Sequence, residues 1–222
     1  MDPKTARLIW QDDGSPRSPQ FDDPYFSAAG GLAEAQHVFL GGNALPARFA
    51  AGFHIAELGF GTGLNLLAAW QAWQQSGAAG PLRYTSFEAY PLSYPDMEKA
   101  LHNWPTLAPL AAALLSAWPC TKLHLPSLHF ELNLGDARTT LPAWQGQADA
   151  WFLDGFSPSK NPELWGEALM QAVGQHTTPQ GTFATYTAAG HVRRKLAAAG
   201  FAVSRSTGFG RKRHMSLGIM AS

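Results

Sequence analysis

From residue 53 onward, short apolar runs alternate with stretches whose apolar positions recur every three or four residues. That alternation spells strand followed by helix. Residues 53–58 (FHIAEL) form a compact apolar strand, and residues 64–74 carry Leu67, Trp70 and Trp73 at helical spacing. A second strand covers 84–88, helices cover 95–101 and the Ala-rich 107–118, and 128–134 alternates in period two as a third strand. The fourth strand is 150–154, followed by a helix over 162–175 that Asn161 caps and Pro162 opens. The fifth strand is 181–187, with a helix over 190–199 after it. Strands 201–206 and 216–220 have no helix between them and pair antiparallel. The pattern predicts an α/β fold: a mostly parallel seven-stranded sheet with helices on both faces and a C-terminal antiparallel hairpin. Residues 1–20, rich in Asp, Ser, Pro and Gly, are expected as a flexible or hairpin lead-in, and residues 21–222 as one domain. That domain opens on a dense segment, FDDPYFSAAGGLAEAQHVFLGGNALPARF, expected to pack a short helix across one end of the core.

The first strand ends in a glycine loop, Glu57-Leu58-Gly59-Phe60-Gly61-Thr62-Gly63-Leu64-Asn65. Alternate glycines let the backbone turn sharply and approach a ligand with no Cβ in the way. The helix start beyond offers free amide donors to an anion. The dinucleotide fingerprint G-x-G-x-x-G fails, because the sixth position counted from Gly59 is Leu64, and no Gly-Lys-Ser/Thr follows as a phosphate loop requires. The form E-x-G-x-G-x-G instead resembles motif I of class I S-adenosylmethionine-dependent methyltransferases. Two further acids follow successive strands. Glu88 closes the second strand, where a carboxylate can accept both hydroxyls of a ribose. Asp136 follows the third, where such enzymes commonly meet the adenine amino group; the plain alternative for it is a helix cap or turn former.

The fourth strand runs into WFLDGFSPSKNPELW, in which Asp154 leaves an apolar run and meets Phe156 and a proline turn at once. At the same rim of the sheet it would face a donor's methyl group. An alkylamine is largely protonated near neutral pH, so its methylation needs a group that takes up the proton. A carboxylate within hydrogen-bond reach does this. Apolar neighbours raise its pKa and a sulfonium lowers it. The alternative reading of Asp154 is an Asx turn that caps the loop.

Charged residues make up 14% of 222 residues and hydrophobic ones 45%, which excludes a disordered chain. No apolar run approaches the ~20 residues of a membrane span, and the first residues lack the pattern of a secretion signal. One cysteine, Cys120, excludes an internal disulfide framework and a thiolate metal cage. The histidines show no metal-ligand spacing and are expected at the surface or in loops; no metal is expected, and the location is expected to be cytoplasmic. Net charge is zero, yet residues 1–167 carry nine bases against sixteen acids (−7), and residues 168–222 carry seven bases and no acid (+7). Such segregation can attract phosphates without a basic pI.

Taken together, FDDPYFS, VFLGGNALPARF, ELGFGTGLN, FLDGFSPSKNPELW and GFGRKRHM resemble the methyltransferase part of the tRNA 5-methylaminomethyl-2-thiouridine biosynthesis (MnmC) family, over about residues 21–220. The resemblance implies a class I, Rossmann-like methyltransferase fold. It also implies methyl transfer from S-adenosylmethionine to the amine of 5-aminomethyl-(2-thio)uridine at the wobble position of tRNA. It would assign donor binding to Glu57, Gly59, Phe60, Gly61, Thr62, Gly63, Asn65, Glu88 and Asp136, with Asn43 and Tyr25 closing over the donor. Asp154 would handle the amine, and Phe156 and Trp165 would wall the pyrimidine. The basic residues Arg193, Arg194, Lys195, Arg211, Lys212 and Arg213 would meet the phosphates of the anticodon stem-loop, whose bases can be splayed out and stacked. The family's bifunctional form carries a flavin-dependent oxidase that this chain stops short of. No FAD is therefore expected, and a separate enzyme would have to supply the aminomethyl nucleoside. The alternative is an N-methyltransferase acting on a small-molecule or protein amine.

Overall fold

The computed structural model describes residues 5–26 and 30–221; residues 1–4, part of the expected lead-in, and residues 27–29 and 222 lie outside the description. The lead-in forms a three-stranded antiparallel sheet, β1 (Ile9–Trp10), β2 (Pro16–Ser18) and β3 (Asp23–Pro24). It runs past residue 20, with Arg17 opposite Pro24 and Ser18 opposite Asp23. A helical stretch follows: α1 (Gly31–Ala35), then a π turn over Gln36–Leu40 and a 3-10 turn over Gly41–Asn43.

The central sheet contains β4 (His54–Leu58), β5 (Leu82–Glu88), β6 (Lys122–Leu125), β7 (Leu128–Leu134), β8 (Ala148–Leu153), β9 (Thr177–Thr185), β10 (Phe201–Thr207) and β11 (His214–Met220). Their spatial order is β10-β11-β9-β8-β4-β5-β7-β6. The inner strands β7, β5, β4, β8 and β9 are parallel. At one edge β9, β11 and β10 run antiparallel, as expected of the terminal pair. The sheet has eight strands rather than the expected seven. The extra one is β6, which turns back on β7 with Leu123 opposite Phe130; four residues are too few for a period-two signal to stand out.

Strand parity divides the core. Ile55, Tyr84, Phe130 and Phe152 face one layer, where α2 (Leu64–Ser76) brings Leu66, Leu67, Trp70 and Trp73. Leu58, Phe87, Trp151, Leu153 and Phe183 face the other layer. That layer holds α5 (Ala137–Ala143), α6 (Glu167–Gln175) and α7 (Gly190–Ala198). Both faces of β8 are thus covered, so its sequence is a continuous apolar run instead of an alternating one. The first layer is completed by α3 (Tyr94–Leu101) and α4 (Ala108–Ala117). Ser93 caps α3 by accepting the Asp96 N–H at 3.3 Å.

Three local expectations are corrected. The helix over 162–175 is broken: Pro162–Trp165 is a 3-10 turn, Gly166 is extended (φ −66°, ψ 155°), and α6 begins only at Glu167. The Asn161 side chain makes no cap bond. His54 lies buried in β4 instead of at the surface, its Nε2 2.8 Å from Thr85 Oγ1, and burial holds its imidazole down at about 4.

Candidate active site

Sheet growth from β4 runs outward through β5 to β7 and then resumes on the other side at β8. Where strand order reverses in this way, the loops leaving the carboxyl ends part and leave a crevice. A cavity of about 1150 Å3 opens there, lined by the loop 59–62, Glu88, Asp136 and Asp154 among others. Over it lie Phe21 and Tyr25 from the N-terminal segment. Ser157 N–H donates to Asp23 Oδ2 at 2.8 Å, tying that segment to the turn after β8.

The glycine loop bends through three left-handed residues, Gly59 (φ 88°), Gly61 (φ 52°) and Gly63 (φ 76°). Gly61 N–H donates to Glu88 Oε2 at 3.0 Å, and Tyr90 N–H donates to Oε1 at 2.8 Å. One further acceptor position on each oxygen is left for a ligand hydroxyl. The Tyr25 ring packs on the loop; a Cβ at Gly61 would come within 3.3 Å of it. Phe60 lines the cavity as a buried residue, its ring packed against Phe130 (5.2 Å) and Trp118 (5.6 Å). Thr62 and Asn65 reach the cavity, whereas Gly63 does not line it and serves as the N-cap of α2. Asp136 caps α5 through Arg138 N–H at 2.9 Å. The Arg138 guanidinium pairs with it at 2.5 Å, holding its carboxyl below the usual range. Arg138 also reaches Glu163 at 2.9 Å, so an arginine and two acids share one end of the cavity.

Glu57 sits beneath the floor, fully buried and away from the cavity lining. Parity explains this: Glu57 points to the same side as Ile55, which α2 covers. There the Asn65 amide donates both of its hydrogens, to Glu57 Oε1 at 2.9 Å and to Asp154 Oδ2 at 2.7 Å. Ser86 Oγ donates to Glu57 Oε2 at 2.8 Å. Asp154 follows the end of β8, its N–H donating to Leu58 O at 3.0 Å, and its carboxyl faces the cavity. Burial pushes Asp154 up to about 7, against the pull of the Asn65 bond; Glu34 pushes it further and Lys212 draws it back. Burial pushes Glu57 up to about 8, with the Asn65 and Ser86 bonds opposing.

A carboxyl whose folded value exceeds its unfolded one favours the protonated fold. The stability it contributes is complete below the ordinary value of 4.5 and is lost as pH rises to about 8. The melting temperature of the free protein should therefore fall from pH 5 to pH 8. Glu57→Gln should flatten that fall above pH 7 and leave the part that Asp154 adds below it. An unchanged slope in a thermal-melt series across this range would show that Glu57 is not held protonated.

The remaining expected residues divide. Phe156 lines the cavity, stacked on Phe21 at 4.8 Å and edge-on to Tyr25 at 5.1 Å. Trp165 is buried behind it, its Nε1 donating to Phe156 O at 2.8 Å, and is a support rather than a wall. Asn43 is likewise buried away from the cavity. Its Nδ2 donates to Phe39 O at 2.9 Å and its Oδ1 accepts from Thr182 Oγ1 at 2.6 Å, so it cannot close over a ligand. Arg193, Arg194 and Lys195 lie on α7 away from the cavity, and Lys195 Nζ is bound to Trp165 O at 2.8 Å. Arg211, Lys212 and Arg213 are all exposed, and of the three it is Lys212 that lines the cavity, its Nζ reaching Glu34 Oε1 at 2.7 Å. Glu34, Tyr186 and Arg138 also line the cavity and were not expected from the sequence. None lies in a motif; only tertiary contact brings them there.

A family model described as S-adenosyl-L-methionine-dependent methyltransferase matches residues 105–221. The chain is 46% identical over 230 residues to the tRNA 5-methylaminomethyl-2-thiouridine biosynthesis bifunctional protein MnmC of Chromobacterium violaceum. That alignment takes in 98% of this chain and 35% of the relative, so the chain spans about a third of the length of the curated protein it matches. The crystal structure of MNMC2 from Aquifex aeolicus superposes with a TM-score of 0.75 at 27% identity, covering 98% of this chain and 71% of that one. An O-methyltransferase family protein from Burkholderia thailandensis shares the fold at a TM-score of 0.50 and 14% identity, over 86% of this chain and 55% of its own. A crevice at the strand-order reversal, a loop of left-handed glycines and the family match agree: the chain belongs to the S-adenosyl-L-methionine-dependent methyltransferases and has their class I fold.

Proposed function

We propose that this methyltransferase acts on tRNA and methylates the primary amine of 5-aminomethyl-(2-thio)uridine at the wobble position. The observation that carries the reading is the Asp154 carboxyl, which faces the cavity next to the glycine loop and is pushed to about 7. A base with that value can take a proton from an alkylammonium and release it to water near neutral pH. The name of the relative from C. violaceum supports the nucleic-acid half. So does the exposed basic pair Arg211 and Arg213, which flanks the cavity-lining Lys212 in sequence. The site fits the donor: left-handed glycines leave the loop backbone uncovered, and Glu88 keeps free acceptor capacity. Gly59, Gly61, Thr62, Glu88 and Asp136 would hold the donor, with Glu57 and Gly63 acting through the loop they support. When bound, S-adenosylmethionine supplies an electrophilic methyl on a sulfonium. Asp154 would take one proton from the acceptor ammonium and so free the nitrogen lone pair for the donor's methyl. Phe156, together with Phe21 and Tyr25 packed on it, would form an aromatic wall for the flipped pyrimidine.

The test supplies the purified chain with radiolabelled donor and tRNA bearing 5-aminomethyluridine. Label is expected in the tRNA, with the aminomethyl nucleoside converted to its methylaminomethyl form by mass spectrometry. Unlabelled tRNA, under conditions where a small amine or a protein accepts the label, would replace this reading with the alternative acceptor.

A further inference from the structure

Lys212 stands apart from its basic neighbours. It lies in the turn between β10 and β11, its N–H donating to Phe209 O at 3.0 Å, and its exposed side chain reaches over the cavity that it helps to line. Its Nζ is 2.7 Å from Glu34 Oε1 and 4.1 Å above the ring of Tyr186. Tyr186 is fixed in turn, because its hydroxyl donates to Gly155 O at 2.7 Å, one residue beyond Asp154. Glu34, Tyr186, Asp154 and Lys212 all line the same cavity. A carboxylate on one side and an aromatic face on the other are what an ammonium prefers. The arrangement is thus a cation box with an ammonium of the chain's own in it. The occupant is the looser member: the Lys212 side chain is 44% exposed and the Glu34 side chain 13%. Three carboxylates, Asp154, Asp23 and Glu34, act on the Tyr186 hydroxyl, and Lys212 acts on Asp154. An arriving ammonium therefore finds an acid to pair with even before Lys212 leaves.

We propose that Glu34 and the Tyr186 ring form the ammonium-recognition subsite for the acceptor amine, with Lys212 as its resident occupant that the acceptor displaces. This rests on the amine half of the proposed function and not on its tRNA half. The subsite selects a charged alkylamine over an isosteric neutral alcohol, because a hydroxyl cannot replace the charge-assisted contact Lys212 gives up. It also delivers the ammonium beside Asp154, the group positioned to remove its proton.

Calorimetry with protein saturated in S-adenosylhomocysteine, in an amine-free buffer, separates the possibilities without turnover. The probes are 5-aminomethyluridine, its 5-hydroxymethyl counterpart and benzylammonium. Lys212→Met should tighten both amines by about tenfold, since no resident ammonium competes, and Glu34→Gln should weaken both by about tenfold. The hydroxymethyl nucleoside should respond to neither change. Unaltered S-adenosylhomocysteine affinity checks that each variant is folded, and Glu34→Asp, which keeps the charge, should recover part of the loss. Amine affinity that is unchanged or weaker in Lys212→Met overturns the proposal. The benzylammonium arm keeps the two readings distinct. If it follows the pattern while tRNA takes no label, the subsite stands and the tRNA reading falls. If tRNA is methylated with the same KM by Glu34→Gln as by the parent, the subsite falls and the tRNA reading stands.

Discussion

Asp154→Asn is expected to lower methyl transfer by about 10²–10⁴-fold, the usual contribution of a positioned general base. Donor affinity should stay within about threefold, since this charge lies apart from the ribose and adenine ends of the cavity. Asparagine suits the test because its side-chain oxygen can still accept the Asn65 hydrogen bond, now 2.7 Å long, so the geometry persists while the proton acceptor is lost. The pH profile provides a second reading. Burial holds Asp154 at about 7, so the single-turnover rate of the parent should rise with pH through about 7 and then level. In Asp154→Asn no protein group makes the free amine, and the residual rate should keep rising toward the ~10 at which an alkylammonium itself deprotonates. Single-turnover kinetics with labelled donor across pH 6–10 distinguishes the two shapes. Full activity in the variant, or two profiles of the same form, would mean that the proton leaves by another route.

That outcome depends on two acids, one buried and one facing the cavity, joined through one amide. Asn65 gives one hydrogen to Glu57 and the other to Asp154. Each carboxyl is pushed up by burial, and the charge of Asp154 raises Glu57 further. A protonated Glu57 beneath an ionised Asp154 leaves one negative charge next to the cavity in place of two. Glu57, buried below the cavity lining, is therefore expected to act through Asn65 and the charge on Asp154 rather than by contact.

The sequence carried the parallel sheet and its crevice because those rest on local pattern. The run over 128–134 emerges with the expected bounds, and the loop 59–63 sits where strand turns to helix. The position of Glu57 was legible too, but only by counting strand parity from Ile55. Other features depend on contacts far apart in the chain. Asn43 lies in a phrase that looks like a site, yet its side chain bonds Thr182, 139 residues away. Lys212 belongs to a basic run, and only the fold reveals that it reaches Glu34, 178 residues away, at the cavity. The helix α5 gave little local signal because Thr139, Thr140 and Pro142 are weak helix formers, and the Asp136 cap and the cover over Phe87 stabilise it instead.

Gly59→Ala should cost more than any other single methyl in the glycine loop. Gly59 donates its N–H to Phe87 O at 3.0 Å, while Asp154 donates to Leu58 O at 3.0 Å, so the loop is clipped between the ends of β5 and β8. A Cβ there would stand 2.7 Å from the Asp154 carbonyl oxygen, 3.2 Å from its carbon and 3.3 Å from Gly155 Cα. All three are backbone atoms, so the end of β8 must move. The left-handed conformation (φ 88°) adds its own cost of about 1–2 kcal/mol. Gly52 isolates that second cost, since it has φ 82° and no atom of the described residues within 4 Å of a new Cβ. Gly52→Ala is therefore expected to lose about 1–2 kcal/mol in denaturant unfolding and to keep the parental kcat/KM. Gly59→Ala should lose a further ~1–3 kcal/mol from overpacking. Methyl transfer should fall by about 10²-fold or more, because a displacement near 1 Å at Asp154 spoils its alignment with the acceptor. If the two variants unfold at the same denaturant concentration and turn over alike, the loop does not set where Asp154 stands, and its glycines serve the backbone turn alone.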